Sequence, residues 1–105
     1  MRILGYSKKW EKLQKPVHTT FRYPRKDKDW HEGEIVQEVY KPRSKEREFI
    51  QVAKIIYKEA KVINELTEDE AIEDGFSSAF EMWIYLGKPN MKTPINKLTL
   101  EVEKV

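Results

Sequence analysis

The segment with the most side chains capable of chemistry is residues 15–30, which read KPVHTTFRYPRKDKDW. This segment mixes positively charged side chains with aromatic rings. Basic side chains bind phosphate groups, and aromatic rings stack on unpaired bases. The segment therefore predicts a surface that binds RNA or a nucleoside, formed by Arg22, Tyr23, Arg25, Lys26, Lys28 and Trp30.

Alternation along a strand divides this segment between two faces. Thr20 and Arg22 share one face, while Phe21 and Tyr23 share the other. We therefore expect Phe21 to lie in the core. Trp30 follows in a charged loop and has two interpretations, a platform that stacks a base or a lid over the sheet.

A second group of reactive side chains is acidic and comprises Glu68, Asp69, Glu70, Glu73 and Asp74. Carboxylates in the first turn of a helix are favoured by the helix dipole, which explains the first three. Asp74 lies at the far end, where the dipole disfavours a negative charge. It serves either as a turn residue before Gly75 or as part of a site.

Several kinds of chemistry lack their residues. The chain has no Cys, and its two histidines, His18 and His31, have no acidic neighbours at metal-ligand spacing. No serine lies in a G-x-S-x-G elbow, and the four glycines form neither a P-loop nor a dinucleotide fingerprint. We expect neither a metal nor a cofactor.

Charge is distributed unevenly along the 105 residues. Residues 1–45 carry 12 Lys/Arg and 6 Asp/Glu, whereas residues 46–105 carry 8 and 12. A basic half of this kind attracts polyanions if its charges also cluster in space, and otherwise is a solvated surface. The length predicts one domain over residues 1–105, and the lack of a long apolar run predicts a cytoplasmic protein that does not enter a membrane.

Local patterns predict a mixture of short helices and strands. A helix is expected at residues 8–14, and β-branched and aromatic residues predict strands at 17–23, 34–40 and 49–57. The last of these extends towards 63 and has a helix as its alternative. Two S/T-x-x-E capping boxes open helices at Thr67 and Ser78, with Phe80, Trp83 and Ile84 on one stripe of the second. Alternation predicts a final strand at 98–102. The order predicts an α+β domain on a strongly curved sheet or small barrel.

Two parts of the chain together resemble the ASCH domain of the PUA-like superfamily. The first is the stretch KPVHTTFR with Gly33-Glu34 after it, and the second is LTEDEA at residues 66–71 followed by Asp74-Gly75-Phe76. The resemblance covers most of the chain. It implies a PUA-like β-barrel with flanking helices, a cleft between them, and a role in RNA binding, RNA modification or coactivation.

The resemblance also implies an enzymatic activity as one alternative. Some small bacterial members hydrolyse the acetyl amide of N4-acetylcytidine with a Lys, a Thr and a Glu. The matching residues are Lys15, Thr20 and Asp74, with Lys15 as the base that activates the Thr20 hydroxyl and Asp74 as the acid/base group. Asp74 is one methylene shorter than Glu, and Lys15 lies further from Thr20 than the lysine of the family.

Three functions follow as hypotheses. The first is an RNA- or nucleoside-binding domain with a cleft near Thr20, Arg22 and Asp74, which requires only charge and shape. The second is an amidohydrolase for an acylated nucleoside. The third is an adaptor with protein partners, which a large exposed apolar patch would favour. The chain is expected to be a monomer.

Overall fold

The computed structural model describes residues 1–103 and has a mixed sheet with short helices beside it. The strands are β1 (Arg2–Tyr6), β2 (Val17–Arg22), β3 (Ile35–Tyr40), β4 (Glu48–Val62) and β5 (Pro94–Val102); the α-helices are α1 (Glu68–Asp74) and α2 (Ala79–Tyr85); two 3₁₀ helices span Glu11–Gln14 and Ile63–Glu65. This arrangement confirms the α+β class. None of the helices in the described part of the chain is long and apolar enough to cross a membrane.

The five strands follow the order β1-β3-β4-β5-β2, so β1 and β2 form the two edges of the sheet. The pair β1–β3 is parallel, and the other three neighbouring pairs are antiparallel. The 15-residue β4 pairs along both sides and shifts register between Ile55 and Tyr57. Such bulges bend a strand and increase its twist, so this long central strand curls the sheet.

Curling brings the two edge strands close together. The guanidinium carbon of Arg22 on β2 lies 4.8 Å from the ring centre of Tyr6 on β1. His18 on β2 also meets Glu38 on β3, although these strands are not neighbours in the sheet. Within residues 1–103 the backbones of β1 and β2 do not pair, so hydrogen bonds do not close the sheet into a barrel. The barrel form stays a prediction.

The apolar core has two parts, one on each side of β2. Inside the curled sheet is a cluster formed by Leu4, Tyr6, Leu13, Trp30, Val36, Ala53, Ile55, Leu98 and Leu100. Beneath the helices is a second cluster, formed by Phe21, Ile63, Ala71, Met82 and Ile95. Phe21 is 7% exposed, which confirms its prediction as a core residue.

The two capped helices are present as predicted, but α2 turns a different face inward. Thr67 and Glu70 form the capping box of α1, and Gly75 ends that helix in the left-handed region. In α2 the fully buried side chain is Met82, whereas Phe80 is 64% exposed. The stripe of Phe80, Trp83 and Ile84 is therefore not the buried face of α2, although Trp83 belongs to both. The buried face consists of residues 79, 82, 83 and 86, at i, i+3, i+4 and i+7 spacing.

The start of the chain also differs from the predicted pattern. Residues 2–6 form β1, for which the sequence analysis made no prediction, and the expected helix at 8–14 is only a 3₁₀ helix at Glu11–Gln14. Helix nucleation is costly, and a run this short before Pro16 does not recover that cost.

We expect Gly75→Ala to destabilise the protein more than Gly33→Ala. Both glycines have a positive φ, +110° and +86°, so each alanine variant costs about 1 kcal/mol for its backbone conformation. A Cβ at Gly75 would also lie 2.8 Å from Trp10 Cε3, whereas a Cβ at Gly33 meets nothing within 4 Å. Overpacking adds about 1–3 kcal/mol at Gly75. Denaturant unfolding measures the free energy of unfolding of both variants. An equal loss of stability in the two would contradict the packing of Trp10 on this turn.

Candidate functional site

A small pocket lies in the gap between the two edge strands. Its volume is about 110 Å³. The helices and the first 3₁₀ helix cover the gap from one side. The lining residues come from these elements and the segments next to them, and they are Gly5, Tyr6, Ser7, Trp10, Lys12, Thr20, Phe21, Arg22, Asp74, Phe76, Met82, Tyr85 and Leu86.

A buried ion pair forms the floor of this pocket. Lys12 Nζ lies 2.8 Å from Asp74 Oδ1, and the two side chains are only 5% and 6% exposed. Thr19 Oγ1 donates a second hydrogen bond to the same carboxylate oxygen at 3.2 Å. Both of these hydrogen bonds reach Oδ1, so Oδ2 is the oxygen of Asp74 that has no partner among residues 1–103.

Burial moves both members of the pair towards their neutral forms. Desolvation lowers the pKa of Lys12, and the negative charge of Asp74 offsets this only in part. Desolvation likewise raises the pKa of Asp74, although Lys12 and Thr19 oppose the rise. Perturbed ionisable groups in a cleft are typical of functional sites. This pair therefore marks the pocket as the candidate site.

The fold explains why an acid stands at the end of α1. A carboxylate there is disfavoured by the helix dipole, as the sequence analysis noted for Asp74. The structure places the ammonium group of Lys12 against it. Gly75 makes the turn that ends α1, so the turn and the ion pair are separate features of neighbouring residues.

Thr20 and Arg22 form the wall of the pocket on β2. Arg22 Nε donates a hydrogen bond to Thr20 Oγ1 at 3.2 Å, and the guanidinium lies over the ring of Tyr6. The Thr20 hydroxyl therefore accepts from Arg22 and keeps its own hydrogen for another partner. The sequence analysis placed both residues at a cleft with Asp74, and the structure brings all three together.

Three aromatic rings form the opposite wall. Trp10 lies 5.0 Å from Phe76 and 5.8 Å from Tyr85, measured between ring centres, and Phe76 lies 5.2 Å from Tyr85. The Tyr85 and Ser7 hydroxyls are 2.5 Å apart, which ties the wall to the end of β1. The wall is thus packed in place by its own contacts.

A buried polar network supports the pocket from the interior of the sheet. Glu38 is fully buried and receives hydrogen bonds from Tyr6 Oη at 2.5 Å and from Gln51 Nε2 at 2.9 Å, while His18 Nε2 lies 2.8 Å from its Oε2. Burial alone would raise the pKa of Glu38, but the bonds from His18, Tyr6 and Gln51 hold it below its usual value. Burial and the nearby Glu38 charge raise the pKa of Tyr6 well above its usual value, so Tyr6 stays a donor. No local sequence pattern indicates this network, because its members lie between 13 and 32 residues away from Glu38.

Lys15 does not reach the pocket. It is exposed at the end of the first 3₁₀ helix, whereas Lys12 points to the buried side of the same helix. The structure thus places Lys12, and not Lys15, beside Asp74 in the pocket that Thr20 also lines. The reason is geometric, because the side chain on the inward face of the 3₁₀ turn reaches α1 and the residue after the turn does not.

The loop after β2 divides the other predicted RNA-binding residues. Tyr23 donates from its hydroxyl to the backbone oxygen of Leu86 at 2.6 Å, beside the pocket. Trp30 is only 4% exposed and packs in the core beneath Arg2, so the lid interpretation holds and its face is not open to stack a base. The guanidinium carbon of Arg25 lies 5.7 Å from the centre of the Trp30 ring. Lys26 and Lys28 are exposed and contribute nothing to the pocket lining.

A separate apolar groove lies between the second 3₁₀ helix and α2. It has a volume of about 410 Å³ and is lined by Ile63, Asn64, Leu66, Ala79, Phe80, Trp83 and Met91. It shares no lining residue with the pocket at Lys12. This groove is the surface on which the adaptor hypothesis depends.

We expect Lys12→Met to lower the free energy of unfolding by about 3 kcal/mol, because the buried Asp74 carboxyl loses its partner. The double variant Lys12→Met/Asp74→Leu should recover most of that loss, since it removes both charges. Lys15→Met is the matched control and should stay within about 0.5 kcal/mol of wild type.

The loss in Lys12→Met should also depend on pH. An unpaired buried Asp74 has a pKa above its value in the unfolded chain, so the folded state binds more protons. Stability therefore falls as pH rises through the unfolded-state pKa and towards the folded one, and the variant is weaker at neutral than at acidic pH. Urea unfolding over this pH range measures it, and a pH-independent loss would argue against a buried lone carboxyl.

Comparison with known proteins adds no relative. No family model matches the chain, and neither curated proteins nor solved structures include a significant match. The likeness to the ASCH domain thus rests on the residues quoted above.

Proposed function

We propose that the pocket between β1 and β2 binds a single unpaired base of RNA, or the corresponding nucleoside. The observation that carries this proposal is the buried Lys12–Asp74 pair at the floor of an aromatic-walled cavity. A buried charge pair contributes little to stability compared with apolar residues of the same volume. Binding of a ligand would explain why a charged pair, rather than an apolar one, is buried at this position.

The polar groups at the floor suit the edge of a base. Asp74 Oδ2 accepts, Lys12 Nζ donates, and the Thr20 hydroxyl can donate. The edges of nucleobases present donors and acceptors side by side, and proteins that take a base out of a strand recognise it through these edges.

The size of the pocket suits a ring rather than a whole nucleotide. Its volume of about 110 Å³ is well below the ~300 Å³ at which sites for drug-sized ligands begin. A planar ring can enter between Arg22 and the aromatic wall, where both guanidinium and aromatic faces stack on bases. The sugar and phosphate then remain outside.

The surrounding charge favours a polyanion. Lys12 and Arg22 give the pocket two positive groups against the single carboxylate of Asp74. The basic half of the chain, residues 1–45, supplies β1, the first 3₁₀ helix and β2, each of which contributes lining residues to the pocket. Phosphates near the opening would therefore meet a favourable field.

We also propose that the domain is a PUA-like domain of the ASCH type. Support comes from the curled sheet whose edges meet through Arg22 and Tyr6, and from the T-x-x-E-A helix α1 that ends with Asp74 in the cleft. The Thr20-Phe21-Arg22 triplet lines the same cleft. These are the positions at which the resemblance locates functional residues.

The binding proposal is tested by titrating nucleosides and short single-stranded RNA into the wild type, Thr20→Val and Asp74→Asn. Thr20→Val removes the hydroxyl that can donate to the base, and Asp74→Asn removes the negative charge of the carboxylate that accepts from it. Losing a hydrogen bond to a charged or buried partner costs about 1.5–3 kcal/mol, or about tenfold or more in Kd. Asp69→Asn is the matched control, because Asp69 is exposed on the same helix.

Calorimetry or quenching of tryptophan fluorescence reports the binding, since Trp10 lines the pocket. Equal affinity in Asp74→Asn and Asp69→Asn would show that the base does not enter this pocket.

Hydrolysis of an acylated nucleoside is the second candidate, and the lowered pKa of Lys12 favours it. In this reaction Thr20 Oγ1 adds to the acyl carbon and its proton passes to the neutral Lys12 amine. Protonated Asp74 gives its proton to the leaving amine, and water then hydrolyses the acyl ester on Thr20. No hydrogen bond joins Thr20 Oγ1 to Lys12 Nζ in the described part of the chain, which is why binding stands first.

This candidate is tested by incubation with N4-acetylcytidine and measurement of released cytidine. Turnover is expected to disappear in Lys12→Ala and Thr20→Ala and to persist in Lys15→Ala, whose side chain lies outside the pocket. Turnover that depends on Lys15 and not on Lys12 would contradict the assignment of the base, and no turnover by the wild type would remove hydrolysis of this substrate.

A further inference from the structure

A second cleft adjoins the pocket at the end of β1. Its volume is about 450 Å³, and its lining includes Gly5, Tyr6 and Ser7, which also line the pocket. The remaining lining residues, Lys41, Pro42, Arg43 and Ser44, belong to the loop between β3 and β4. We call this surface the loop cleft. The residues at the end of β1 thus separate two adjacent cavities.

The loop is held against β1 by direct contacts. The Lys41 backbone N–H donates to the oxygen of Tyr6 at 2.8 Å. Pro42 packs so closely on Gly5 that a Cβ there would lie 2.8 Å from Pro42 Cγ. Lys41 has a φ of +42°, a conformation that non-glycine residues adopt at an energetic cost. The position of this loop at the edge of the pocket therefore includes backbone strain at Lys41.

The loop beside the cleft carries an excess of positive charge, although of its unpaired basic residues only Arg43 lines the cleft itself. Residues 41–48 contain four Lys/Arg and two Glu. Lys41 pairs with Glu46 at 3.0 Å, but Arg43 and Lys45 are exposed and form no ion pair with any residue in the described chain. The Ser7 and Ser44 side chains add hydroxyl groups to this region. Unpaired guanidinium and ammonium groups beside hydroxyls are the typical partners of phosphate oxygens.

We propose that the loop cleft binds the phosphate backbone of a single-stranded RNA whose base occupies the adjacent pocket. The inference rests on the proposed function of that pocket and defines its ligand as a nucleotide within a strand rather than a free nucleoside. The pocket holds only the ring, so the backbone must leave through its opening. The loop cleft shares Gly5, Tyr6 and Ser7 with the pocket, and its loop carries the exposed Arg43 and Lys45 on the path of such a backbone.

The structure favours a path of the RNA backbone through the loop cleft over a path along Lys26 and Lys28. Lys26 and Lys28 were expected to bind RNA, but they belong to the loop that carries Trp30 into the core. The Lys28 carbonyl accepts from Arg2, the first residue of β1, whereas the pocket is built around Tyr6, the last residue.

The test is a titration of labelled single-stranded RNA of about ten nucleotides, followed by fluorescence anisotropy at several salt concentrations. The variant is Arg43→Gln/Lys45→Gln, and Lys26→Gln/Lys28→Gln makes the same charge change in the competing loop. We expect the first variant to weaken RNA binding and to lower the slope of log K against log salt by about 1.4, since each phosphate that the protein no longer neutralises accounts for about 0.7. Nucleoside affinity should be unchanged.

The outcomes separate this inference from the proposed function. If Arg43→Gln/Lys45→Gln binds RNA like wild type while Asp74→Asn does not, the proposal for the loop cleft is wrong and the proposal for the pocket is supported. If Arg43→Gln/Lys45→Gln loses RNA binding while Asp74→Asn keeps it, the proposal for the pocket is wrong and RNA binding by the loop cleft is supported. A larger effect of Lys26→Gln/Lys28→Gln, or tighter binding of polyglutamate than of RNA, would also overturn the loop cleft.

Discussion

The ion pair between Lys12 and Asp74 is the interaction on which the rest of the site depends. Each charge costs several kcal/mol to bury, and the pair persists only if its two elements stay in contact. The first 3₁₀ helix must therefore dock on the end of α1. Gly75 makes this docking possible, because any side chain there would collide with Trp10. The floor and the aromatic wall of the pocket thus share one constraint.

The network around Glu38 has a similar role inside the sheet. Its partners come from β1, β2 and β4, and all of them point towards one carboxylate on β3. A buried carboxylate is tolerated only when several donors satisfy it, so the curled shape of the sheet and the ionised state of Glu38 support each other. Tyr6 links the two systems, since its hydroxyl binds Glu38 and its ring lies beneath Arg22.

The sequence predicted what depends on local patterns. Thr67 and Glu70 identify the start of α1, Gly75 its end, and alternation along β2 the burial of Phe21. It did not predict β1, whose five residues are a strand only because they pair with β3 more than 30 residues later. Lys12 gave no local indication either, because its partner lies 62 residues away. Trp30 remained ambiguous because a charged loop can carry a ring either outward or into the core.

The Lys12–Asp74 pair can serve binding or catalysis, depending on which of the two side chains carries the shared proton. In the charged form, Lys12 and Asp74 offer a donor and an acceptor to a base. In the neutral form they are a general base and a general acid, and burial already moves both pKa values in that direction. A ligand that fills the pocket removes more water and extends the same trend. What the pocket lacks for catalysis is a hydrogen bond from the Thr20 hydroxyl to Lys12, whose Nζ binds Asp74 instead. A shift of Lys12 from Asp74 towards Thr20 would thus convert a binding pocket into a reactive one.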